Sequence, residues 1–490
     1  MSGAPSLLDE TRALLRDAVA AYAGTEEAAG LQSILDRLDD PLRVAIAGRV
    51  KAGKSTLLNA LVGEELAPTD AGECTKIVTW YRDGVTYRVE LHPHKGVPRQ
   101  VPFARDAGAI EVELGSTPAD QVERLVVDWP SSSLKQMTLI DTPGIGSLSA
   151  EVSARTHAFL APDDDRVTAA DAVLYLMKHL HNTDIDFLAT FHDEEVSQAT
   201  PVNAIAVLSR ADEVAAGRID AMESATRIAT RYRSDPKVRR LVQTVVPVAG
   251  LLAVTGETLR EAEYAALARL AACEDPPVEK LLVSVDRFVN SPTTVLTSME
   301  REALLDRLGL FGIRLATGMI RDGRAPTSGK LSAALVEQSG LDALRNVLLS
   351  QFAERRDVLK ARSGLLAVEG VARARPVAGS GALMNEVERV TAGAHEFQEI
   401  RLLNALRSGA VSAKPKDLEV MERLLGTTGA APAARLGLGA GAADADVRTA
   451  AQEALARWQR RAESPMASRE VADAARVLVR TCEGILTRHA

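Results

Sequence analysis

The spacing of hydrophobic and polar positions changes period along this chain. Residues 6–38 place Leu8, Leu15, Val19 and Tyr22 near a 3.6-residue repeat, and Leu31, Ile34, Leu35 and Leu38 continue it after Gly24 and Gly30. That spacing predicts helix with one apolar stripe, and Ser6 can cap it. A stripe of this length must be buried, so it is expected to pack on a segment that comes later. From Arg43 the pattern shortens to apolar, β-branched runs at 43–47, 77–81, 87–91, 137–140, 172–177, 203–208 and 245–249. Such runs, separated by helical stretches, predict an α/β domain with a mostly parallel, doubly wound sheet. Asp83-Gly84 stands between the second and third runs as a hairpin signal.

Beyond about residue 255 the pattern is helical, with Leu304, Leu308 and Phe311 among its apolar positions. Ser339-Gly340 opens a periodic helix through Leu341, Leu344, Leu348, Phe352 and Leu359, and Pro376, Gly379, Ser380 and Gly381 break it. Helix resumes over 383–407. Residues 409–445 are rich in Gly, Ala and Pro, with Lys414, Lys416, Arg423 and Arg435 set among Leu418, Leu424, Leu425, Leu436 and Leu438. Ser464-Pro465 reads as a helix start. Val471, Ala475, Leu478, Cys482 and Ile485 then form a heptad-like seam.

The loop after the first strand carries the chemistry. Gly48-Arg49-Val50-Lys51-Ala52-Gly53-Lys54-Ser55 fits G-x-x-x-x-G-K-[ST], follows a strand and runs through Thr56 into a helix. Its glycines turn backbone N–H groups around an anion. Lys54 reaches the outer phosphates, Ser55 offers its hydroxyl to Mg2+, and the helix N-terminus adds partial positive charge. Asp141-Thr142-Pro143-Gly144 ends a later strand: Asp141 can reach the Mg2+ shell and Gly144 can point an N–H at a γ-phosphate. Its D-x-x-G form points to a GTPase. Thr75 lies where a switch threonine closes over Mg2+ and the γ-phosphate. Ser209-Arg210-Ala211-Asp212 ends another strand, where Asp212 can accept from guanine N1 and N2 and the stem of Arg210 can cover the base. The end of the next strand, at Ala249, should flank the base.

Composition narrows the setting. At 490 residues the chain should hold two or three domains. A net charge of -8 argues against a broad nucleic-acid surface, so no nucleic-acid partner is expected. Cys74, Cys273 and Cys482 are odd in number and far apart, which gives neither a disulfide framework nor a metal spacing and favours a reducing cytoplasm. The N-terminus is charged too early for a signal peptide, and no apolar run approaches the ~20 residues that span a bilayer. Membrane contact is therefore expected to be peripheral.

GRVKAGKSTLLNALVGEELAPTD, CTKIVT, LIDTPGIGS and the large helical remainder together resemble the dynamin superfamily. Within it the chain is most similar to the bacterial dynamin-like GTPases of the actinobacterial IniA/IniC type. The resemblance implies GTP hydrolysis to GDP and phosphate, and a helical bundle, or neck, built from N- and C-terminal helices. By it, residues 1–40 supply the first bundle helix, 41–340 the GTPase domain with a helical extension, and 341–490 the rest of the bundle. It further implies a GTPase-domain dimer, a possible paralogous dynamin-like partner, and anionic lipids at the inner face of the cell membrane. Two departures bear on catalysis. Val50 stands where dynamins carry Gln, and Ile145 where many small GTPases hold a water-orienting Gln. Lys51 then remains, at a position where guanylate-binding proteins use an arginine finger. It is expected either to stabilise developing charge, with the Thr75 carbonyl orienting water, or to be solvated and merely bend the loop.

If the bundle leads away from the GTPase domain, 409–445 lies at its far end, either as a lipid-facing tip or as a disordered linker. A low-turnover regulatory partner of a paralogue and an Era-like ribosome-assembly GTPase are the alternative readings. The second would want a basic RNA-binding appendage. His92-Pro-His94 and His179-Leu-His181 read as solvent-facing, and Trp80, Trp129 and Trp458 as packing residues.

Overall fold

A capping box at Ser6 and Asp9 starts α1 (Leu7–Ala21), and Gly24, at φ +87°, turns the chain into α2 (Glu26–Arg37), so the apolar stripe over 6–38 folds as a helical pair. The computed structural model describes residues 6–68, 77–106, 109–144, 170–190, 203–273, 278–292, 295–439 and 441–488. The α/β region runs β1 (Leu42–Gly48), α3 (Lys54–Val62), β2 (Val78–Asp83), β3 (Arg88–Pro93), β4 (Arg99–Gln100), β5 (Phe103–Asp106), β6 (Ala109–Val112), β7 (Val122–Trp129), β8 (Met137–Asp141), β9 (Ala172–Met177), α4 (Asn182–Thr190), β10 (Ala204–Ser209), α5 (Ala221–Ser234), α6 (Pro236–Leu241) and β11 (Val245–Val248). Strands β5 and β6 pair as a separate ribbon. The others form one sheet in the order β11-β10-β9-β1-β8-β2-β7-β3-β4.

Neighbours from β11 to β8 are parallel. Alternate residues of these strands are buried on opposite faces, as the pleat requires. Val44, Ile46, Leu174 and Leu176 meet Leu57 and Leu58 of α3 on one side, while Ala45, Val173 and Tyr175 meet Phe187, Ala225 and Val238 on the other. Both faces are covered, which is why these strands read as unbroken apolar runs.

The hairpin expected at Asp83-Gly84 does not form. β7 lies between β2 and β3, parallel to the first and antiparallel to the second. Arg82 and Arg88, one on each side of the turn, both close on Asp128 of β7. Gly84 backs onto the same residue, where an added Cβ would stand 2.7 Å from the Asp128 Cβ. The charge partner of both flanks is therefore a strand that arrives some forty residues later.

After β11 the chain is helical: α7 (Gly250–Thr258), α8 (Glu261–Ala271), α9 (Val278–Leu281), α10 (Val285–Asn290), α11 (Ser298–Arg321), α12 (Ser328–Ser339), α13 (Leu341–Gln351), α14 (Arg356–Ala374), α15 (Ser380–Gly393), α16 (His395–Ser408), α17 (Pro415–Leu424), α18 (Pro432–Leu436), α19 (Asp444–Ala462) and α20 (Arg469–Arg488). The stripe of α1 finds its later partner in α14. Thr11 and Leu15 lie against Gly364, which leaves no room for a side chain, and the buried Tyr22 hydroxyl donates to the Arg375 carbonyl at 2.9 Å. The C-terminal helices α16–α20 gather round a second apolar core that includes Leu402, Leu406, Met421, Trp458, Leu478 and Ile485. Two cores therefore share what one bundle was expected to hold.

Residues 409–445 are not a remote tip. Leu424 and Leu425 are buried, and Leu418, Leu436 and Leu438 pack on the same core. Glu422 pairs with Arg239 of α6, and Gln351 and Arg355 donate to backbone carbonyls of 425–427. The leucines at 418, 424 and 425 keep helical spacing with Met421, so they are spent on folding rather than left for insertion. No helix among the described residues is long and apolar enough to cross a membrane.

Candidate nucleotide site

β1 delivers the phosphate loop to the carboxyl edge of the sheet. Gly48 presses on β9, where an added Cβ would stand 2.5 Å from the Leu176 carbonyl oxygen. Lys51 (φ +61°) and Gly53 (φ +91°) both take left-handed conformations. Two such residues within three positions curl the loop into a cradle of inward N–H groups. For Lys51 this backbone is unfavourable by about 1 kcal/mol, a strain of the kind that collects at functional sites. Arg49, Val50 and Lys51 are exposed at the loop surface, and Ala52 is buried beneath them.

α3 begins at Lys54 and puts Ser55 opposite the end of β8. The Ser55 hydroxyl donates to Asp141 Oδ2 at 2.9 Å. The other carboxylate oxygen, Oδ1, is buried with no hydrogen-bond partner in the described structure. Burial pushes the Asp141 pKa up, against the pull of the Lys54 ammonium and the Ser55 hydroxyl. Burial likewise pushes Lys54 down, against Asp141. A dry carboxylate with one spare oxygen beside a serine hydroxyl is a donor set of the hard, oxygen-only kind that suits Mg2+. The Thr142 hydroxyl donates to the Ile46 carbonyl at 2.9 Å and ties β8 to β1. Gly144 then lies on Val50, where an added Cβ would be 2.6 Å from Cγ2 and 2.8 Å from Cα.

A cleft leads from this loop to the base region. Ala52, Gly53, Thr56, Ser209, Arg210, Asp212, Val248, Gly250 and Leu251 are among its walls. Arg210 is left-handed (φ +52°), and its guanidinium donates to Glu213 at 2.5 Å, with Lys178 3.6 Å from the same carboxylate. Burial raises the Asp212 pKa. The Ser209 hydroxyl is buried and has no hydrogen-bond partner among the described residues. Ala249 does not face the cleft: it is fully buried, and its N–H donates to the Ser339 carbonyl at 2.9 Å. Its neighbours Val248 and Gly250 hold the wall instead. Thr75 and Ile145 lie outside the described residues.

Two contributors were not singled out in the sequence. Asn59 of α3 is buried, accepts from the N–H groups of Leu66 and Ala67, and donates to the Ala67 carbonyl. It thereby fixes the chain shortly before Thr75. Gly309 interrupts α11 at φ +60°, ψ 175°, a region almost reserved for glycine, and an added Cβ there would stand 4.0 Å from Asp212 Oδ2. The glycines of Leu308-Gly309-Leu310-Phe311-Gly312 inside a helical pattern were the available signal. Among the described residues no group of three or more His, Cys, Asp or Glu has a metal-holding arrangement. His94, His179 and His181 are exposed, but His92 is not solvent-facing. It is half-buried, with Arg124 3.3 Å from its Nδ1 and Glu90 3.6 Å from its Nε2, because the β3–β7 pairing draws it between those charges.

The isoniazid-induced protein IniC of Mycobacterium tuberculosis is 39% identical to this chain over 493 residues, covering 98% of each. The chain belongs to the bacterial dynamin-like family of IniC. A dynamin-family profile matches residues 44–209, the span from β1 to the Ser209 end of β10. A bacterial dynamin-like protein of Nostoc punctiforme is 34% identical over 148 residues, 28% of this chain and 20% of that one. A solved chain of an oligomerised bacterial dynamin pair superimposes at a TM-score of 0.34 and 12% identity, over 100% of this chain and 77% of its own. This IniC-like protein is thus a dynamin-family GTPase, an enzyme that hydrolyses GTP, with a mostly parallel α/β core and attached helical layers.

Proposed function

We propose that this GTPase acts with Mg2+ and couples nucleotide-dependent self-association to peripheral binding and remodelling of a membrane at its cytoplasmic face. The observation that carries the metal is the Ser55–Asp141 pair, with its orphaned carboxylate oxygen next to Lys54. In this reading Ser55, Asp141 and Thr75 hold the Mg2+. The ion would supply charge neutralisation between the outer phosphates. The loop from Gly48 to Thr56 wraps the phosphates, Lys54 binds the outer ones, and the Gly144 N–H meets the γ-phosphate. Ser209, Arg210 and Asp212 read the base, with Asp212 accepting from it. Lys51, held left-handed at the loop surface, stabilises charge developing at the γ-phosphate while the Thr75 carbonyl orients water.

The division of labour places hydrolysis in 41–340 and mechanical output in 1–40 and 341–490. The long contact of α1 with α14, far apart in sequence, supports treating those two parts as one lever. Self-association through the GTPase face, and pairing with a paralogous dynamin-like protein, belong to the same reading. The test is GTP turnover with and without Mg2+ and anionic liposomes, across protein concentrations, alongside co-sedimentation. Turnover that needs Mg2+ and rises with concentration and lipid supports it. Pelleting without turnover would favour the second reading, a nucleotide-binding regulatory partner. The half-exposed, apolar Val50 against Gly144 is what keeps that second reading in view.

A further inference from the structure

The chain carries a net charge of -8, yet between Arg227 and Arg240 it holds six basic residues and one acidic. Those fourteen residues are the end of α5 and α6 up to Arg240. The one acid, Asp235, is already used: its carboxylate accepts from the N–H groups of Lys237 and Val238 and starts α6. Three of the bases also have partners: Arg239 with Glu422, Arg227 with Glu223 at 4.0 Å, and Arg240. Arg231, Arg233 and Lys237 are exposed, and no Asp or Glu pairs with them among the described residues. The inner side of α5 is buried, Ala225 and Ala229 in the core against the sheet and Ala221 in the helical core beside Leu252, so its charges share the outer side. There Arg227, Thr230, Arg231 and Ser234 recur at helical spacing, and Arg233 reaches back to the Thr230 hydroxyl at 2.8 Å.

We propose that this strip, on the outer face of the GTPase domain, is the surface that docks on an anionic lipid bilayer. The inference rests on the peripheral-membrane reading above and moves its contact point away from 409–445, whose leucines are buried. A negatively charged leaflet attracts a local cluster of Lys and Arg, and the exposed Arg227, Arg231 and Arg233 at the end of α5 with Lys237 on α6 supply four. No large apolar side chain is exposed between Arg227 and Arg240. The attachment is therefore electrostatic, reversible and screened by salt, without insertion. A single-stranded nucleic acid is the poorer occupant, because such partners want exposed aromatic rings between the charges. Tyr232, the one aromatic here, is half-buried, and its hydroxyl accepts from the Leu180 N–H at 3.3 Å. The strip begins at Arg227, beyond the Ser209–Asp212 base loop and the first turns of α5, and none of its residues lines the nucleotide cleft.

The test is flotation of the full-length protein with vesicles of phosphatidylcholine alone or with 30% (about one lipid in three, a typical anionic load) phosphatidylserine. Wild type is compared with Arg231→Glu/Arg233→Glu/Lys237→Glu and with a Lys414→Glu/Lys416→Glu control. The strip variant should bind the anionic vesicles roughly a hundredfold more weakly, while the control is little changed. Basal GTP turnover and circular dichroism should match wild type, which separates lost docking from misfolding. Binding by the strip variant equal to wild type overturns the location and leaves the membrane reading standing. Failure of wild type itself to float overturns both. Wild-type capture of single-stranded RNA at physiological salt, lost in the strip variant, would overturn the lipid assignment in favour of a nucleic acid.

Discussion

The Lys360 ammonium lies 2.9 Å from the Asp171 carboxylate, and both side chains are sealed from solvent. The Arg43 N–H donates to the same oxygen at 2.9 Å, while Arg37 reaches the other carboxylate oxygen at 3.2 Å and Ser363 adds a hydroxyl to it at 3.3 Å. Lys360 belongs to α14, Arg37 to the end of α2, and Asp171 stands just before β9. One buried carboxylate thus pins both bundle helices to the sheet. Burial alone would raise the pKa of Asp171, but Lys360, Arg37 and the Arg43 N–H overcome it and keep the carboxylate ionised. Asp171→Asn should lower stability by about 3–5 kcal/mol, because it leaves two buried cations without their counter-charge. Asp171→Asn combined with Lys360→Met should lose clearly less. Urea unfolding midpoints of the three proteins check the ordering.

Acid should loosen the C-terminal bundle through Glu399. Burial would raise its pKa, but His395, Arg435 and Thr481 around it prevail and set it at about 2, against 4.5 for a free carboxyl. A folded-state pKa below the unfolded one adds stability that is fully present above pH 4.5 and is lost as pH falls toward 2. Glu399→Gln should remove that slope and lower stability at neutral pH by leaving Arg435 unpaired. Thermal midpoints from pH 6 down to about 3, followed by far-UV circular dichroism, make the comparison.

Asp212→Ala should weaken GTP and GDP alike, by roughly ten- to a hundredfold, the loss expected for one charge-assisted hydrogen bond pair. Fluorescent-nucleotide titration reads it directly. Equal affinity in wild type and variant would take base reading away from Asp212.

Lys51→Ala separates the two expectations for that residue. Single-turnover hydrolysis should slow by about tenfold or more with GTP affinity little changed, since a charge used only at the transition state alters rate rather than binding. Unchanged turnover would leave Lys51 as a loop bend. Gly144→Ala should slow the same step while sparing GDP affinity, because its added methyl meets Val50 and not the base cleft.

The phosphate loop, Asp141 and Asp212 were legible in sequence because each is a short contiguous motif at a strand end, where local order and spatial order coincide. The sheet was legible as far as its buried parallel strands. Its outer half was not: β2 and β3 look like hairpin neighbours until Asp128, supplied by β7, takes both Arg82 and Arg88. The fate of 409–445 was hidden for a related reason. Its leucines look idle in a Gly- and Ala-rich stretch, and only the partners brought by α16, α19 and α20 show that they are core.

The kink at Gly309 backs the base cleft from behind: an added Cβ there would stand 3.8 Å from Leu251 and 4.0 Å from Asp212 Oδ2, both residues of the cleft wall, and Leu251 itself lies beyond β11. Arg307, just before it, holds Glu65 beyond α3, Glu263 of α8 and the Thr258 hydroxyl, while its own carbonyl accepts from Thr255. Arg314, just after, donates to the Gly217 carbonyl behind the base loop. An excised fragment ending at β11 would retain every recognisable nucleotide motif and still lack a wall of its own binding cleft. Fragments meant for nucleotide titration or crystallisation should therefore be cut no earlier than the end of α12, and a shorter one that binds weakly says nothing against the motifs it contains.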